Sequence, residues 1–340
     1  MENKGLNTVL RREKTRDLIF NYALYFILGI LIIGIILYDP TFLTKRNFIN
    51  ILTQASTRAI LALGAAGLIV LQGTDLSAGR ILGLTAAISA SLLQSLDYSA
   101  RMYPDLGEVN MLIPLALAIL VGVAFSLFNG FGVAVLKVHA FIITLGTQLI
   151  VYGILQIYID SQEMGAQPIG SLADKYVKLV NGQVFLLPNL IWFMIIIATI
   201  MWVVWNKTEL GKNMFAIGGN PEAAEVSGVS LIKNIMLIYL ISGILYGIAG
   251  FLEAGRIGSV NAGTGTNYDL DAIAACVVGG VSFSGGVGTI PGVLIGTIIL
   301  QFINYGLQYI GVNPYLQGVV KGFIIITAVA IDVRKYIAKK

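Results

Sequence analysis

The chain has 340 residues, of which 56% are hydrophobic and 12% are charged, and its net charge is +4. Soluble domains carry about 25% charged residues, and a soluble fold of this size cannot hide so much apolar surface. The composition excludes a soluble enzyme, a disordered chain and a nucleic-acid-binding protein, and it favours a chain that lies mostly in a lipid bilayer. The single cysteine, Cys276, excludes an intrachain disulfide, and the single histidine, His139, excludes a histidine-rich metal site.

Apolar stretches predict about ten transmembrane helices, because a spanning helix needs about 20 mostly apolar residues. The first stretch follows a polar leader, 1–17; it is too long for a signal peptide and lacks a small-residue cleavage site, so we expect it to be retained. The fold class is therefore an all-α polytopic membrane protein, with a transmembrane domain over 18–333 and a basic tail over 334–340. The predicted spans are 18–38, 49–72, 80–96, 111–136, 140–159, 188–206, 231–254, 270–283, 287–310 and 315–332.

Lysine and arginine residues predict the orientation of these spans, since positive charge concentrates in cytoplasmic loops. With the N-terminus placed inside, the inner segments hold more than twice as many of these residues as the outer segments. The excess predicts that both termini are cytoplasmic and that the number of spans is even.

Two short segments interrupt the apolar stretches with the shared pattern Gly-x-x-apolar-Ser-x-Gly. Matching interruptions in two halves of a chain point to a transport pathway, whereas two tight turns left by an old duplication explain the same pattern. Within the first segment, Asp75 and Arg80 either form an ion pair that pins the break or lie separately at the membrane interface. The motif residues are Gly73, Asp75, Leu76, Ser77, Gly79 and Arg80 in the first break, and Gly280, Ser284 and Gly286 in the second.

Amide side chains form a polar face on the ninth predicted span. Gln301, Asn304 and Gln308 are spaced three and four residues apart, which places them on one side of a helix. Tyr305 is adjacent to that side. Amides beside an aromatic ring suit sugars and give a candidate translocation path, although hydrogen bonding between neighbouring helices explains the same residues.

The polar segment 207–230 predicts a short helix over 221–227 between two spans. Asn220 suits the N-cap, Pro221 the first helical position and Glu222 the positive end of the helix dipole. Gly228 suits the stop. A preformed helix between two spans is typical of a segment that docks into a pocket on another protein.

This segment resembles the coupling loop of the sugar permeases of ABC importers, whose family pattern is Gly-x-Asn-Pro-x-Ala-Ala-x-x-Ser-Gly. The segment 73–79 resembles the Gly-x-Asp-Leu-Ser-x-Gly motif of the same family, and the likeness runs from Asn50 to the basic tail. The resemblance implies the type II ABC-importer permease fold, with Asp75, Ser77 and Gly79 as a membrane-depth signature. It places an ATPase interface at Asn220, Pro221, Glu222, Ala223, Ala224, Ser227 and Gly228.

The same resemblance implies partners and a cargo. A second permease copy forms a homodimer, two ATPase domains or a tandem ATPase dock beneath it, and a periplasmic or lipid-tethered sugar-binding protein docks above. The expected location is the bacterial cytoplasmic membrane, and the expected cargo is galactose, a methyl galactoside or a related monosaccharide. The sequence holds no Gly-x-x-x-x-Gly-Lys-Ser/Thr phosphate loop, so we expect this chain to be no enzyme and the partner to bind Mg-ATP.

Other functions need features that the sequence supplies poorly. An ion-coupled secondary sugar transporter needs carboxylates deep in its spans, whereas Asp75, Glu253, Asp269 and Asp271 fall mainly at span ends and in loops. An intramembrane enzyme needs clustered Asp, His or Ser–His sites. A simple channel leaves the capped cytoplasmic helix without a role.

Overall fold

The computed structural model describes residues 28–162 and 165–337. Two strands of two residues each, β1 (Gln183–Val184) and β2 (Leu187–Pro188), pair in antiparallel fashion, and a 3-10 turn, Pro40–Phe42, precedes α2. The remaining regular structure is helical. The helices are α1 (Leu28–Tyr38), α2 (Lys45–Val70), α3 (Ala78–Leu92), α4 (Leu112–Ala134), α5 (Ala140–Asp160), α6 (Asp174–Asn181), α7 (Asn189–Lys207), α8 (Glu209–Gly219), α9 (Pro221–Val226), α10 (Leu231–Ile257), α11 (Tyr268–Val278), α12 (Ile290–Tyr309) and α13 (Pro314–Ile337).

Each of the ten predicted spans contains a helix, and the all-α polytopic prediction is confirmed. Within residues 28–162 and 165–337, seven helices are long and apolar enough to cross a membrane: α2, α4, α5, α7, α10, α12 and α13. Two of the others end earlier than predicted. α3 stops at Leu92, after which the backbone forms a β-bridge between Gln94 and Leu172, and α11 stops before Gly280, whose φ is +85°.

The two ends of the chain are only partly described. The predicted leader, 1–17, lies outside the described residues, as does the start of the first span before Leu28. The predicted basic tail, 334–340, is described as far as Ile337, where α13 ends.

Burial separates central helices from peripheral ones. In the most apolar window of α2, 83% of the residues are buried inside the chain, against 28% for α4 and α5 and 17% for α13. The exposed positions of the peripheral helices are largely apolar, as in Leu149 and Phe323. Apolar residues on the outside of long helices are what a bilayer or a second membrane subunit covers.

Small residues let α4 and α10 approach closely. A Cβ added at Gly243 would lie 2.6 Å from both the carbonyl oxygen of Gly122 and the Cα of Val123, and Gly247 faces Ala118 and Ile119 in the same way. The Ser126 hydroxyl donates to the carbonyl of Tyr239 at 2.6 Å. Small residues four apart are a common basis for close helix packing in membranes.

Loops that the charge pattern assigns to one side meet at one end of the bundle. At the outer end, Ile169 and Val260 form a β-bridge, and Asn181 donates to the carbonyl of Gly255 at 2.8 Å. At the inner end, the Gly286 N–H donates to the carbonyl of Val70 at 2.9 Å. The start of α3 departs from this grouping, because Gly79 and Arg80, which the charge pattern assigns to the inner side, lie against the loop after α10.

An exposed ion pair joins two outer loops and is expected to contribute little to stability. Lys175 Nζ lies 2.7 Å from Glu108 Oε1, and the side chains are 74% and 65% exposed. Each charge favours the other, so the pKa of Glu108 is lowered and the pKa of Lys175 is raised. The contribution of ionised Glu108 to the free energy of unfolding is present at neutral pH, and it is lost as the pH falls through the lowered pKa of this carboxyl.

Water screens such a pair. We therefore expect Lys175→Met to leave the thermal unfolding temperature at pH 7 unchanged within error, in detergent and by scanning fluorimetry. A clear drop would show that the two loops depend on this pair.

Candidate functional site

The helix predicted over 221–227 is present as α9 and is exposed at the inner end. Asn220 Oδ1 accepts a hydrogen bond from the Ala223 N–H at 3.0 Å, and Pro221 begins the helix. Gly228 follows with a φ of +87°, a left-handed conformation that favours glycine at helix ends. Of the residues predicted at an ATPase interface, Asn220, Pro221, Glu222, Ala223, Ser227 and Gly228 are exposed and Ala224 is buried.

The surface around α9 is exposed and lies beside an open cleft. Val226 is 91% exposed, and a cleft of about 490 Å³ opens beside it between α8 and α10. Glu209 and Lys233 lie on the wall of this cleft. The capped helix α9 therefore protrudes next to an open, partly charged cleft.

One close contact ties α8, and through it α9, to the membrane helices. The Gly218 carbonyl accepts a hydrogen bond from Gln72 Nε2 at 2.8 Å. A Cβ added at Gly218 would overlap the carbonyl oxygen of Val70 and lie 2.7 Å from the Gly286 nitrogen. We call this contact of Val70, Gln72, Gly218, Gly285 and Gly286 the inner junction.

The first break runs inside the bundle. Asp75 is 1% exposed and Ser77 is fully buried, and the backbone N–H and hydroxyl of Ser77 donate to Asp75 Oδ1 at 2.9 and 2.5 Å. Asn129 of α4 donates to the Ser77 hydroxyl at 2.9 Å. Since Asn129 lies more than one turn before the end of α4, the break reaches roughly 7 Å into the bundle from the inner end. The first break is therefore a buried, non-helical segment that leads directly into α3.

The other residues of the first break make backbone contacts. The Gly73 N–H donates to the carbonyl of Leu68 at 2.9 Å and closes α2. The Leu76 N–H donates to the Thr144 hydroxyl at 3.2 Å. Gly79 lies against the loop after α10, where an added Cβ would overlap the carbonyl oxygen of Gly265.

Asp75 and Arg80 do not pair in the described part of the chain, so the ion-pair alternative is not observed, and Asp75 is buried rather than interfacial. The Arg80 guanidinium lies 4.2 Å from the ring centroid of Tyr152 and donates to the carbonyl of Ala262 at 3.2 Å. Ser77 donates only to Asp75 Oδ1, in the turn before α3, and among the described residues Asp75 Oδ2 is buried without a hydrogen-bond partner. Arg80 lies within α3, on the side that faces α5 and the loop after α10.

The second break is a tight turn at the inner end. Gly280, Gly285 and Gly286 have φ values of +85°, +80° and +68°, and the Ser284 N–H donates to the Ser282 hydroxyl at 3.1 Å. The turn joins the inner junction through Gly285 and Gly286. The two breaks therefore share a sequence pattern but not a location.

The polar face of α12 lies against α2. Gln301 Nε2 donates to Gln54 Oε1 at 2.8 Å, and the Tyr305 hydroxyl donates to Asn47 Oδ1 at 3.0 Å. These contacts show hydrogen bonding between neighbouring helices, and a transport role of the face stays a prediction. Of its residues, Gln301 and Asn304 are buried, Tyr305 is half-buried and Gln308 is exposed.

A cluster of charged side chains, which the sequence analysis did not single out as a site, joins α2, α11 and α13. The Asp271 carboxylate pairs with the Arg58 guanidinium and with Lys321 Nζ, which lies 2.9 Å from Oδ1. The Arg58 guanidinium also lies over the Tyr268 ring, 4.3 Å from its centroid. We call Arg58, Asp271 and Lys321 the charged triad; the side chains of these residues are 19%, 12% and 31% exposed.

A second carboxylate lies beside the charged triad. Glu253 is fully buried, and Arg256 donates to it through Nε and Nη2, both at 2.7 Å. The Thr57 and Tyr268 hydroxyls donate to the same carboxylate at 2.7 and 2.8 Å. Tyr268 thus contacts Arg58 with its ring and Glu253 with its hydroxyl, and both carboxylates are paired with cations inside the bundle.

Comparison with known proteins gives a consistent set of likenesses. Residues 47–329 match the family described as branched-chain amino acid transport system, permease component. The galactose/methyl galactoside import permease protein MglC of Haemophilus influenzae is 50% identical over 98% of this chain and 100% of its own length. The protein of the same name from Escherichia coli K12 is 52% identical over 94% of this chain and 95% of its own length. The ribose import permease protein RbsC of Escherichia coli K12 is 36% identical over 96% of this chain and 97% of its own length. No solved structure matches this chain.

Proposed function

The chain belongs to the permease-component family of branched-chain amino acid transport systems, and we propose that it is the membrane permease of an ATP-driven importer for galactose and methyl galactosides. The cargo assignment rests on sequence identity: about half of the residues, over nearly the full length, are identical to those of permeases named for that import. A permease named for ribose import is 36% identical. The family description names amino acids, so family membership alone does not choose the cargo.

In this proposal, ATP hydrolysis acts on the chain through α9. Two ATPase domains bind Mg-ATP and dock on the exposed helix and its cleft, while this chain binds no nucleotide or metal. The support is the caps that preform α9 and the inner junction that connects it to α2 and to the second break. A movement of α9 is then passed to α2 rather than lost in a flexible loop.

The same proposal assigns the remaining partners. The inner end faces the cytoplasm of a bacterial cell, both termini are cytoplasmic, and a periplasmic or lipid-tethered sugar-binding protein docks at the outer end. Two copies of the chain form the path between them. The support for a second copy is a bundle whose charged triad remains partly exposed, because charged side chains at membrane depth face protein or water rather than lipid.

Reversing one charge on α9 tests the docking assignment. Glu222 lies in the first turn of α9 and favours the helix dipole, so Glu222→Lys is expected to weaken ATPase binding by about two- to fivefold, as loss of a dipole interaction does. The readout is titration of the purified permease with its ATPase. Glu225→Lys makes the same charge change near the other end of α9, where a cation suits the dipole, and is expected to weaken binding less. Equal binding by wild type and Glu222→Lys would count against docking at α9.

Competition for uptake tests the cargo. Cells that lack their own galactose uptake would express this permease with its ATPase and binding protein, and labelled galactose uptake would be measured against unlabelled sugars. We expect methyl galactoside to compete more strongly than ribose or arabinose. Stronger competition by ribose would replace the galactoside assignment with a ribose one.

A further inference from the structure

We propose that the charged triad, together with the Tyr268 ring, is a subsite that binds sugar hydroxyls during translocation. The inference rests on the proposed sugar import and adds to it the residues that touch the cargo.

The depth of the triad argues against a role at the lipid surface. Arg58 lies more than three turns after Lys45, where α2 begins, which is roughly 20 Å along a helix in a bilayer whose apolar core is about 30 Å thick. Lys321 lies on α13 one turn from the buried Gln317 and Ile324. Its ammonium therefore lies on the inward side of the helix, where a charge is tolerated if it meets protein or water.

The pairing within the triad leaves hydrogen-bonding capacity unused. Two cations share one carboxylate, so the triad carries a net positive charge. Among the described residues, Arg58 Nε is buried without a hydrogen-bond partner, and the adjacent Glu253 is already held by Arg256. A desolvated guanidinium donor without an acceptor is costly, and a side-chain movement that exposes it to a sugar hydroxyl removes that cost.

The chemistry of the triad fits a neutral polyol. A sugar hydroxyl donates to the Asp271 carboxylate and accepts from the Arg58 guanidinium or the Lys321 ammonium, and charged partners strengthen these bonds. The apolar C–H face of a pyranose packs on an aromatic ring such as Tyr268. Because the side chains also pair with one another, a sugar exchanges with existing bonds and binds weakly, which suits a path that must release it.

A polar stripe connects this subsite to the outer end. Asn47, Asn50, Gln54 and Arg58 follow one another at intervals of three and four residues along one side of α2. Gln54 Oε1 accepts a hydrogen bond from Gln301 Nε2. The other amide atom of this side chain, Gln301 Oε1, is buried without a hydrogen-bond partner among the described residues. The polar face of α12 thus joins the stripe that leads to the triad.

The experiment compares maximal uptake rates of galactose and of its monodeoxy derivatives by the complete complex in proteoliposomes. Maximal rates at saturating sugar remove differences in affinity for the binding protein. The variants are Asp271→Asn and Lys321→Met, and Lys137→Met, in the exposed loop between α4 and α5, is the matched control. If either triad variant does not assemble with the ATPase, the other carries the test.

Loss of a charged hydrogen bond changes a rate by about tenfold. We expect each triad variant to lower the maximal rate for galactose by about that factor, while one deoxygalactose is affected much less because it lacks the contacting hydroxyl. If the triad only joins helices, its variants would lower the maximal uptake rates of all the sugars by the same factor. That result would overturn the proposed subsite. Wild-type rates in both variants would also overturn it. A wild-type complex that carries no galactose would instead overturn the proposed function.

Discussion

Gly218→Ala is expected to lower ATP-driven uptake by about tenfold, while the permease remains folded in the membrane. The added Cβ overlaps the carbonyl oxygen of Val70 and meets the Gly286 nitrogen at 2.7 Å, so α8 must move away from the end of α2. Overpacking of this kind costs about 1–3 kcal/mol, and about 1.4 kcal/mol corresponds to a factor of ten. The inner junction connects α8 and α9 to the end of α2, whereas the Asn213–Asn234 hydrogen bond joins α8 to α10, so the loss falls on coupling to α2.

The measurement is galactose uptake and ATP hydrolysis by the same proteoliposome preparation. Hydrolysis without matching uptake is the signature of a broken connection. Gly219→Ala is the matched control, because a Cβ at this neighbouring glycine meets nothing within 4 Å, and its uptake should equal that of wild type. If Gly218→Ala transports as well as Gly219→Ala, the inner junction does not transmit the movement.

Gly243→Val is expected to have the largest effect on folding. The side chain would enter the contact between α4 and α10, where a Cβ alone would already lie 2.6 Å from the Gly122 carbonyl oxygen and from the Val123 Cα. Since backbone surrounds the site, α10 must separate from α4, at a cost of about 3 kcal/mol or more. We expect little folded protein after extraction and a clearly lower unfolding temperature for what remains.

Gly153→Val provides the control for this change. Gly153 is also within a long membrane helix, α5, but an added Cβ meets nothing within 4 Å. Its unfolding temperature in the same detergent should be close to that of wild type. Equal yields and unfolding temperatures for Gly243→Val and Gly153→Val would show that α4 and α10 do not need their close approach.

Local sequence signals predicted the helices and α9 well. Long apolar stretches locate membrane helices because backbone hydrogen bonds must be satisfied within each helix. The ends of α9 follow from Asn220 and Gly228, whose effects are confined to neighbouring residues. Such features need no knowledge of the rest of the fold.

Features that depend on distant contacts could not be predicted. Arg58 is 213 residues from its partner Asp271, so an arginine within a predicted span indicates that a partner exists but not which residue it is. The two glycine breaks have the same pattern, yet Asn129 binds Ser77 of the first break inside the bundle, and Val70 binds Gly286 of the second at its inner end. Their different locations come from the helices around them.

The carboxylates bear on the ion-coupled alternative. Glu253 and Asp271 occupy the bundle but are already paired with Arg256, Arg58 and Lys321. A carboxylate held by fixed cations is poorly suited to binding and releasing a coupling ion, because the ion must displace a strong partner. Asp75 is buried and has no cation partner among the described residues, so the ion-coupled alternative rests on that carboxylate rather than on Glu253 or Asp271.

Uptake of labelled galactose by proteoliposomes distinguishes an ATP-driven permease from an ion-coupled transporter. The chain would be reconstituted alone, and together with its ATPase and binding protein, with and without Mg-ATP and with an imposed proton or sodium gradient. We predict uptake only when all three components and Mg-ATP are present, with no effect of the gradient. Gradient-driven uptake by this chain alone would contradict ATP-driven import and would show an ion-coupled transporter.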